Sequence, residues 1–561
     1  MSTASHAAKP VTKPAVKPGA GKRRGSDPHR PDVPQDAVIA ALSDPAFHNG
    51  ATVQVIETHA AMVFLAGDRA LKIKRAVRFP FLDDSTPRLR RTACEAELRV
   101  NRALAPQIYR RVVAITRDHC GKFTLDGTGA AAEWAVEMKR FDPDETFDRI
   151  AGREGIDEPT ARALADTVLA AHARAPAMQA DRWLTALRDY LQQNDEAFVQ
   201  HGNLFDATAA RALSRRSFAA LDKLRPLLGQ RGRSGFIRRL HGDLHLGNIV
   251  RLDGTPVLFD AIEFDEWVAT GDVLYDLAFL LMDLWARDLP LAANRLFNRY
   301  LQQAREPSHA DALAALPLFL SLRAAIRAKV TAVRLTGDRA GDADIAAHAK
   351  RYFRLACDFI APRQPMLVAV GGLSGTGKSR LARMLCAGIA PAPGAVLLRS
   401  DVARKNLYAV PETQRLPATA YTQKVTRRVY DGLAEQAGRV LAAGHSVLVD
   451  AVFAQPQERA RIAAVAEEHD GNFAGLFLEA DLATRLKRVG ARTGDASDAD
   501  ATIVQRQSSY DLGKLTWRRI DASGAPDDTL QAACTSLAGD GPAEHKRRQP
   551  TGTRPANRSA S

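Results

Sequence analysis

The sequence of 561 residues is poor in the features that mark secreted and membrane proteins. It contains five scattered cysteines: Cys94, Cys120, Cys357, Cys386 and Cys534. They form no CxxC pair and have no histidine partners at zinc spacing, which argues against a disulfide framework or a zinc site. No apolar run approaches the roughly 18 residues of a membrane span, and the N-terminus has no apolar signal core. These absences predict a soluble protein of the reducing cytoplasm with no membrane partner.

Aromatic residues are also scarce, at 6% of the chain, although the formal net charge is +14. Much of that charge lies at the two ends. Residues 1–36 hold seven Lys or Arg against three Asp, and residues 543–561 hold five against one Glu. Both ends lack large apolar side chains, so we predict disordered basic tails at residues 1–37 and 541–561. Because no aromatic residues interleave with the basic ones, nucleic acid is not favoured as a partner.

The chain does have enough apolar residues, 46%, for more than one core, and its length predicts two to four domains. From Val53 to Lys74, strand-like segments with a turn at Gly67-Asp68 predict an antiparallel meander. A predicted helix over about 88–104 and further strands follow. The pattern then becomes predominantly helical. We therefore predict a small sheet-rich lobe over 38–140 and a helical lobe over 141–335.

The helical lobe is interrupted by the motif HGDLHLGN, from His241 to Asn248. After a turn at Asp253-Gly254, a returning strand brings Asp260 back towards Asp243. Phosphoryl transfer requires a carboxylate to deprotonate the acceptor hydroxyl and oxygen ligands to hold Mg²⁺ on the phosphates. The spacing predicts Asp243 as that base, and Asn248 and Asp260 as the magnesium ligands.

With this motif, residues 38–335 resemble the aminoglycoside phosphotransferase-like kinases, whose catalytic loop reads HGDxHxxN. The resemblance implies a bilobal protein-kinase-like fold and assigns roles in the small lobe. Lys72, in the segment ALKIK, would pair the ATP phosphates, with Lys74 on the same face as an alternative. Glu97 would be the ion-pair partner of the lysine, with Glu95 as its alternative.

The same resemblance also suggests how ATP and the acceptor are held. The segment from Val136 to Met138 would be the hinge whose backbone meets adenine. Gly242 stands where the protein-kinase loop has arginine, and no APE segment follows, which favours a small-molecule acceptor over a protein. No GxGxxG loop precedes Lys72, so the hairpin around Gly67 would have to cover the phosphates.

A second phosphate motif, GLSGTGKS, lies further along the chain. The preceding run MLVAVGG is typical of a buried parallel strand and the following residues are helical, which is the context that a P-loop requires. Backbone N–H groups of such a loop surround the phosphates, its lysine reaches the outer phosphates and its serine ligates Mg²⁺. The predicted nucleotide-binding residues are Gly372, Leu373, Ser374, Gly375, Thr376, Gly377, Lys378 and Ser379.

Three polar residues follow predicted strands of this second half. The segment HSVLVDA predicts a buried strand that ends at Asp450, the expected carboxylate near the metal. The segment VLLRSDVARK places Asp401 and Arg404 just past another strand, and strand ends are where open α/β sheets bind ligands. Asp401 is the candidate base for an acceptor hydroxyl, and Arg404 would orient the acceptor or the transferring phosphate.

An arginine-rich segment completes this set. Arg485, Arg488 and Arg492 have the spacing of one helical face. Such a face is often simply solvated, but here it predicts a lid that neutralises the transition state. With the motifs GxxGxGKS and SDxxRK, the pattern resembles small-molecule P-loop kinases of the gluconate kinase and zeta-toxin type. The resemblance covers residues 365–540 and implies a P-loop NTPase fold, joined to the first domain by a linking helix and proline linker over 336–364.

Together these features predict a two-domain protein of mixed α/β and α+β class, with an antiparallel sheet in the first domain and a parallel sheet between helices in the second. Both halves in this order resemble bacterial fusions of an aminoglycoside phosphotransferase-like domain with a P-loop ATP-binding domain. The predicted function is transfer of the γ-phosphoryl group of ATP, with Mg²⁺, to hydroxyl groups of small molecules at two sites.

Three other functions stay open at this stage. One domain could be catalytic and the other an ATP-binding regulator, or the P-loop domain could phosphorylate nucleic-acid ends. A cationic aminoglycoside acceptor would require an acidic pocket. The residues after the catalytic loop include Glu263, Asp265, Glu266 and Asp272, but such carboxylates also commonly cap a helix start.

Overall fold

The computed structural model describes residues 34–79, 82–335, 341–491 and 494–538. The chain divides into two compact units. The first extends to Gln364 and takes in the short segments Ala387–Ala395 and Ala442–His445, and the second comprises the rest from Pro365. The predicted basic tails lie outside the described residues except for 34–37.

The first unit begins with a small lobe built on strands. Its helices are α1 (Gln35–Ser43) and α2 (Pro87–Arg102). Its strands are β1 (Val53–Glu57), β2 (Ala61–Ala66), β3 (Arg69–Lys74), β4 (Arg78–Phe79), β5 (Leu82–Asp83), β6 (Tyr109–Arg117), β7 (Phe123–Leu125) and β8 (Ala130–Lys139). Six of them form one antiparallel sheet in the order β1-β2-β3-β8-β6-β7.

The folded chain starts slightly earlier than the sequence predicted, because α1 begins at Gln35 rather than near Val38. The side-chain amide of Gln35 donates hydrogen bonds to the Lys74 carbonyl oxygen at 2.7 Å and to a Glu133 carboxylate oxygen at 2.9 Å. These bonds fix the first turn of α1 to the sheet.

Alternate side chains of β3 pack against different helices, α1 on one face of the sheet and α2 on the other. Leu71 and Ile73 pack in a core that includes Val38 of α1. Ala70 packs in a second core with Cys94 of α2. Because successive side chains of a strand point to opposite faces, Lys72 shares the face of Ala70 and therefore lies beneath α2.

The helical lobe carries two short antiparallel ribbons among its helices. Its helices are α3 (Phe147–Glu154), α4 (Glu158–Arg174), α5 (Ala180–Gln200), α6 (Ala207–Arg233), α7 (Val273–Ala286), α8 (Pro290–Ala304), α9 (Ser308–Ala312), α10 (Leu316–Ala332) and α11 (Asp342–Phe359). Its strands are β9 (Ile237–Arg239), β10 (Ile249–Leu252), β11 (Thr255–Leu258) and β12 (Thr270–Asp272). Strand β9 pairs with β12, and β10 pairs with β11.

The helix α11 was predicted as a link between the domains, but it packs into this lobe. The Ser321 hydroxyl of α10 donates a hydrogen bond to the Ala356 carbonyl at 2.7 Å. Phe353 makes ring contacts with Phe198 and Phe205, at centroid distances of 5.1 and 4.9 Å. The apolar face of α11 therefore belongs to the core of the first unit.

The second unit is a parallel sheet with helices. Its strands are β13 (Met366–Gly372), β14 (Val396–Arg399), β15 (Val447–Asp450), β16 (Asn472–Glu479) and β17 (Arg518–Asp521). Its helices are α12 (Lys378–Leu385), α13 (Ser400–Leu407), α14 (Gln423–Ala442), α15 (Pro456–Glu468), α16 (Leu482–Gly490), α17 (Ala501–Gln507) and α18 (Pro526–Ala538). All neighbouring strands are parallel, in the order β14-β15-β13-β16-β17. The predicted fold class is confirmed in both units.

Within the described ranges, no helix is both long and apolar enough to cross a bilayer.

Candidate active sites

In the first unit, the hairpin β10-β11 positions the ends of the catalytic loop. Asp243 and Asn248 precede β10, and Asp260 follows β11. The turn between the strands has positive φ at both central residues, 48° at Asp253 and 76° at Gly254. This is the type I′ geometry expected for an Asp-Gly hairpin, and it confirms the predicted turn.

Asp243 is held by its neighbours in the same loop. The side-chain amide of Asn248 donates to both the backbone carbonyl and a carboxylate oxygen of Asp243, at 2.9 and 3.0 Å. His245 Nε2 lies 3.4 Å from the same carboxylate oxygen. Burial would raise the pKa of Asp243, but the hydrogen bond and charge of His245 lower it below its usual range. The carboxylate is therefore ionised at neutral pH.

Two residues on helices clamp the backbone of the loop at Gly242, and sequence reasoning missed both. Asp276 accepts a hydrogen bond from the Gly242 N–H at 3.1 Å, and Arg323 donates to the Gly242 carbonyl at 3.0 Å. His172 also contacts Asp276, at 3.3 Å. Gly242 has φ of +81°, and a Cβ there would lie 3.0 Å from the Ala269 Cα. Glycine is therefore required by the loop conformation and by space.

The small lobe supplies two lysines to one buried carboxylate. Lys72 Nζ lies 2.7 Å from one oxygen of Glu97, and Lys74 Nζ lies 2.7 Å from the other. Lys72 also lies 2.7 Å from Asp260, and Lys74 pairs with Glu263. Burial would raise the pKa of Glu97, but the two ammonium groups lower it to about 2. The geometry joins Glu97 to both candidate lysines.

Glu95 lies apart from this cluster. It is exposed and pairs with Arg91 on the same helix, at 2.8 Å. Asn101, one helical turn beyond Glu97, has a different contact that the sequence did not predict. Its side chain donates to the Ala261 carbonyl at 3.1 Å and accepts from the Ala261 N–H at 2.7 Å. Helix α2 therefore contacts the lysines through Glu97 and the residue after Asp260 through Asn101.

The predicted hinge residues lie inside the sheet. In β8, Val136 is paired with Lys72 on one side and Val112 on the other, and Met138 is paired with Ala70 and Tyr109. Backbone groups that already belong to two ladders are not available to adenine. These pairings argue against backbone contacts of Val136 and Met138 with adenine, and their assignment as the hinge stays a prediction.

The turn at Gly67, which was predicted to cover the ATP phosphates, is also not beside Lys74. It joins β2 to β3 at the end opposite Lys74, which pairs with Ala61. The turn near the lysines is instead the β1-β2 connection at residues 58–60, where the Ala60 carbonyl accepts a hydrogen bond from the Arg75 N–H at 2.8 Å. A cover over the phosphates would therefore come from residues 58–60, which contain no glycine.

Three of the four carboxylates that suggested an acidic acceptor pocket have structural partners. Glu263 pairs with Lys74. Asp272 accepts from Arg231 at 2.8 Å and from the Leu274 N–H at 2.9 Å. Asp265 caps the next turn by accepting from the Trp267 N–H at 2.7 Å. Capping therefore accounts for Asp265 and Asp272, and an ion pair accounts for Glu263.

In the second unit, the P-loop connects the central strand β13 to α12, which begins at Lys378. Gly372, Gly375 and Gly377 have φ of 139°, 87° and 92°, values that side chains rarely adopt. A Cβ at Gly375 would lie 2.6 Å from the backbone oxygen of Arg485. Lys378 Nζ donates to the Leu373 carbonyl at 3.1 Å.

Two of the predicted residues of this unit meet at the carboxyl ends of neighbouring strands. The Ser379 hydroxyl donates to Asp450 at 2.6 Å. Arg399, which ends β14, lies 3.4 Å from Asp450 and 2.9 Å from Asp495.

Burial and the nearby Asp450 raise the pKa of Asp401 above its usual value. A raised pKa makes a carboxylate a stronger base when it is ionised.

Arg404 and Asp401 both line a cavity of about 1680 Å³ that also contains the P-loop residues from Ser374 to Ser379. Arg404 donates to the Ala420 carbonyl at 2.6 Å, and its guanidinium lies 4.8 Å from the ring centre of Tyr421. These contacts orient the arginine from the protein side.

The arginines predicted as a lid have different environments. Arg485 is buried and donates to the Ser374 carbonyl of the P-loop at 2.9 Å. Arg488 donates to the Ala522 carbonyl at 2.7 Å. Helix α16 ends at Gly490, and Arg492 lies outside the described residues. The first two arginines therefore have backbone partners that helical spacing alone did not predict.

Sequence reasoning also missed a buried ion pair beside this cavity, between Lys405 and Asp498. Lys405 Nζ lies 2.7 Å from both carboxylate oxygens of Asp498. The same carboxylate accepts from the Leu416 N–H at 3.0 Å and from the Tyr421 hydroxyl. Because its members are far apart in sequence, only the SDxxRK and GDASD motifs could have drawn attention to it.

Comparison with known proteins agrees with this two-part architecture. Residues 59–315 match the phosphotransferase enzyme family, and residues 367–510 match an AAA domain. The chain is 30% identical over 494 residues to uncharacterized proteins of Mycobacterium bovis (Mb2027c) and Mycobacterium tuberculosis (Rv2004c), covering 86% of this chain and 94% of each relative. The chain belongs to the same family as these mycobacterial proteins.

Solved structures offer more distant likenesses. A gluconokinase from Sinorhizobium meliloti is 21% identical and covers 32% of this chain and 94% of its own, with a TM-score of 0.24. A choline kinase from Cryptosporidium parvum is 11% identical and covers 56% of this chain and 90% of its own, with a TM-score of 0.36. The family matches confirm the predicted order, a phosphotransferase domain followed by a nucleotide-binding domain of the AAA type.

Proposed function

We propose that this protein is an ATP-dependent phosphotransferase with two nucleotide sites, each of which transfers the γ-phosphoryl group of ATP to a hydroxyl group of a small molecule. The observation that carries the proposal is that each unit has its own lysine, oxygen ligands and carboxylate base. In the first unit these are Lys72, Asn248, Asp260 and Asp243, and in the second they are Lys378, Ser379, Asp450 and Asp401. Neither unit needs a residue from the other to complete its set.

At the first site, Lys72 would bind the ATP phosphates while Glu97 holds its ammonium in place. Asp243 would accept the proton of the acceptor hydroxyl as the oxygen attacks the γ-phosphorus and the bond to the β,γ-bridging oxygen breaks, which releases ADP. The Asn248 amide keeps the Asp243 carboxylate oriented, at 3.0 Å. Asp276 and Arg323 would act on the reaction indirectly, by holding the loop at Gly242.

At the second site, the backbone N–H groups of the P-loop and the Lys378 ammonium would bind the phosphates. Asp401 would deprotonate the acceptor, and Arg404 would orient it or the transferring phosphate. Arg485 and Arg488 would position the loop and the neighbouring segment through their backbone contacts. Arg492 remains a predicted lid residue.

The oxygen ligands that both sites offer fit Mg²⁺, which usually binds to one or two protein side chains and to phosphate oxygens. Asn248 uses its side-chain nitrogen to bind Asp243, so its carbonyl oxygen can face a metal together with Asp260. Ser379 and Asp450 are already 2.6 Å apart. When bound, Mg²⁺ would neutralise charge on the phosphate oxygens.

We further propose an acidic acceptor for the second site. Its cavity is lined by Arg404, Arg415, Arg427 and Arg461, of which Arg415 pairs with Asp500 and Arg461 with Asp431. Arginine binds carboxylates and phosphates in a planar, two-point geometry. For the first site, the structural partners of Glu263, Asp265 and Asp272 weaken the case for a cationic aminoglycoside.

The proposal is tested by incubating the full chain with γ-labelled ATP and a metabolite extract. We expect Asp243→Asn and Asp401→Asn variants to lose different phosphorylated products, because each removes the base of one site. Asp253→Asn, in the exposed hairpin turn, is the matched control and should retain both products, because asparagine tolerates positive φ.

Two results would overturn the proposal of two transfer sites. If both variants lose the same product, the domains act in one relay or one gates the other. If Asp401→Asn keeps every product while Asp243→Asn loses all of them, the P-loop domain is an ATP-binding regulator. Labelled nucleic-acid ends in the same extract, lost with Asp401→Asn, would favour the nucleic-acid alternative.

A further inference from the structure

The first unit contains a cavity that the proposed transfer reaction does not use. It has a volume of about 560 Å³ and is lined by the C-terminal end of α2, the end of α4 and the residues from Arg239 to His241. Lys72, Asp243 and Asp260 are not among its lining residues. The cavity therefore lies on the His241 side of the catalytic loop, apart from the candidate ATP and acceptor residues.

Three arginines and three carboxylates line this cavity, and they differ in their partners. Arg99, Arg174 and Arg239 line it, and within the described part of the chain none of them forms an ion pair. Arg239 donates only one hydrogen bond of its side chain, to the Ile262 carbonyl at 3.2 Å. Burial lowers the pKa of Arg239, and the like charge of Arg99 lowers it further. The carboxylates of Glu266 and Glu263 act in the opposite direction. Two guanidinium groups thus line the cavity with no carboxylate at ion-pair distance among the described residues.

The carboxylates in the lining do not balance these arginines, because most have other partners. Glu263 pairs with Lys74, and Asp276 accepts from the Gly242 N–H and contacts His172. Glu266 is the remaining acidic residue of the lining. A ligand in this space would therefore be attracted by a net positive charge.

A buried histidine beside the cavity has one ring nitrogen without a partner. His241 lines the cavity and is only 4% exposed, and its Nδ1 has no hydrogen-bond partner. Its other ring nitrogen, Nε2, lies 2.9 Å from the Phe259 carbonyl and must donate to it, so Nδ1 of the neutral ring is an acceptor. A buried acceptor without a partner is unfavourable unless water or a ligand donates to it.

The remaining wall is apolar. Its side chains include Val100, Leu104, Leu240 and Leu258. A small inorganic ion would leave these side chains without contacts, whereas a ligand with an apolar body would cover them. The combination of arginines and an apolar wall fits an organic acid or phosphate monoester with an apolar body.

We propose that this cavity is a binding site for a small organic anion, with one carboxylate or phosphate group on an apolar body, and that its occupation stabilises α2 and the catalytic loop. The anionic group would contact Arg99 and Arg239, and the body would lie against Val100 and Leu104. The same helix presents Glu97 to the lysines, and the same loop continues from His241 to Asp243. A ligand here would therefore act on both halves of the first candidate site without touching ATP.

The test uses hexyl phosphate as the probe, with the full chain saturated by a non-hydrolysable ATP analogue and Mg²⁺ so that nucleotide sites do not compete. Inorganic phosphate and hexanol supply the charge and the apolar body separately. Calorimetry should show one hexyl phosphate per chain that is lost in Arg99→Met and bound at least tenfold more tightly than either part, in addition to any molecule bound at the acidic acceptor site proposed for the second unit. Hydrogen exchange in α2 and in residues 240–248 should slow when the probe is bound.

The variants Arg99→Met and Arg239→Met should each weaken the binding of hexyl phosphate by tenfold or more, because each removes a charge but keeps an apolar stem. Arg99 is on the exposed side of α2, so its variant should fold even if Arg239→Met does not. Arg215→Met, an exposed position on α6 outside the cavity, is the control and should bind as the unaltered chain does.

Three outcomes would overturn the proposal. Hexanol that binds as tightly as hexyl phosphate would show that charge is not recognised. Unaltered affinity in Arg99→Met would place the binding elsewhere, including at a nucleotide site that the analogue failed to fill. Binding without slower exchange in α2 would remove the link to the catalytic loop. None of these readouts depends on phosphoryl transfer, so a failure here is distinct from a failure of the proposed function.

Discussion

The two candidate sites hold their phosphate-side lysines in different ways. In the first unit, Lys72 lies 2.7 Å from carboxylates of both Glu97 and Asp260, which come from a helix and from the end of a distant hairpin. In the second, Lys378 begins a helix and donates to the Leu373 carbonyl within the same loop, at 3.1 Å. One site is assembled from ion pairs between separate segments, and the other is formed by the backbone of consecutive residues.

The difference teaches where each site is vulnerable. An assembled site depends on every charged partner, because removal of one carboxylate leaves an uncompensated buried charge. A backbone site depends on the conformation of its glycines, because a side chain at a positive φ strains the loop that surrounds the phosphates. Substitutions of charge should therefore damage the first site most, and substitutions of glycine the second.

The largest expected effect is on the acceptor bases. Asp243→Asn should lower the rate at the first site by about 10²–10⁴-fold, the usual contribution of a positioned general base. Asp401→Asn should have the same effect at the second site only. The rate of product formation at each site is measured with its own acceptor, once identified. Equal losses at both sites in either variant would break the distinction between them.

The next effect concerns the shared carboxylate of the small lobe. Glu97→Ala leaves the ammonium groups of Lys72 and Lys74 without their common partner, so we expect a loss of about 3–5 kcal/mol in the stability of this lobe. Hydrogen exchange of amides in β3 and α2 measures it. Glu95→Ala on the exposed face of the same helix should lower stability by less than about 1 kcal/mol. Similar effects of the two changes would contradict the assignment of Glu97.

A smaller effect is expected from the P-loop. In Gly375→Ala, the new Cβ would approach the Arg485 backbone oxygen to 2.6 Å at a φ of +87°. Strain of about 1–3 kcal/mol corresponds to ATP binding that is weaker by roughly 5- to 150-fold at the second site. Gly432→Ala, in helix α14 with open space around it, is the control and should bind ATP normally. Normal ATP affinity in Gly375→Ala would show that the loop can relax.

The smallest effect is a difference in pH dependence. A general base must be deprotonated, so activity falls as pH drops through its pKa. The pKa of Asp401 lies above its usual value because of burial and Asp450, whereas that of Asp243 lies below because of His245. The acid limb of the rate at the second site should therefore lie at higher pH than at the first. Rate profiles of Asp243→Asn and Asp401→Asn, each of which leaves one site active, make the comparison. Coincident limbs would contradict it.

The contiguous parts of both sites could be predicted from sequence, since their residues are brought together by local geometry. The P-loop, the Asp253-Gly254 turn and the shared face of Lys72 and Lys74 follow from spacing and alternation. The family matches also confirm the order of the domains. By contrast, a single sequence does not show that β8 has partner strands on both sides, the pairing that argues against an adenine contact at Val136.

Residues that hold the sites through tertiary contacts were the ones missed. Asn101 binds Ala261 across 160 positions of the chain, a contact that no local pattern indicates. Asp276 had one available signal. It and Asp283 are the two carboxylates of the otherwise apolar helix α7, seven residues apart and therefore on one face, where they bind the Gly242 and Leu246 N–H groups. Because buried charges need partners, these two carboxylates indicated contacts with polar groups of another segment.

The central claim, that the chain has two separate nucleotide sites, is tested most directly by the binding stoichiometry of a labelled, non-hydrolysable ATP analogue at equilibrium with Mg²⁺. We expect two analogues per chain in the unaltered protein. Lys72→Met and Lys378→Ala should each bind one, and the double variant should bind none. A single analogue per chain in the unaltered protein, or a loss of both in either single variant, would contradict the claim.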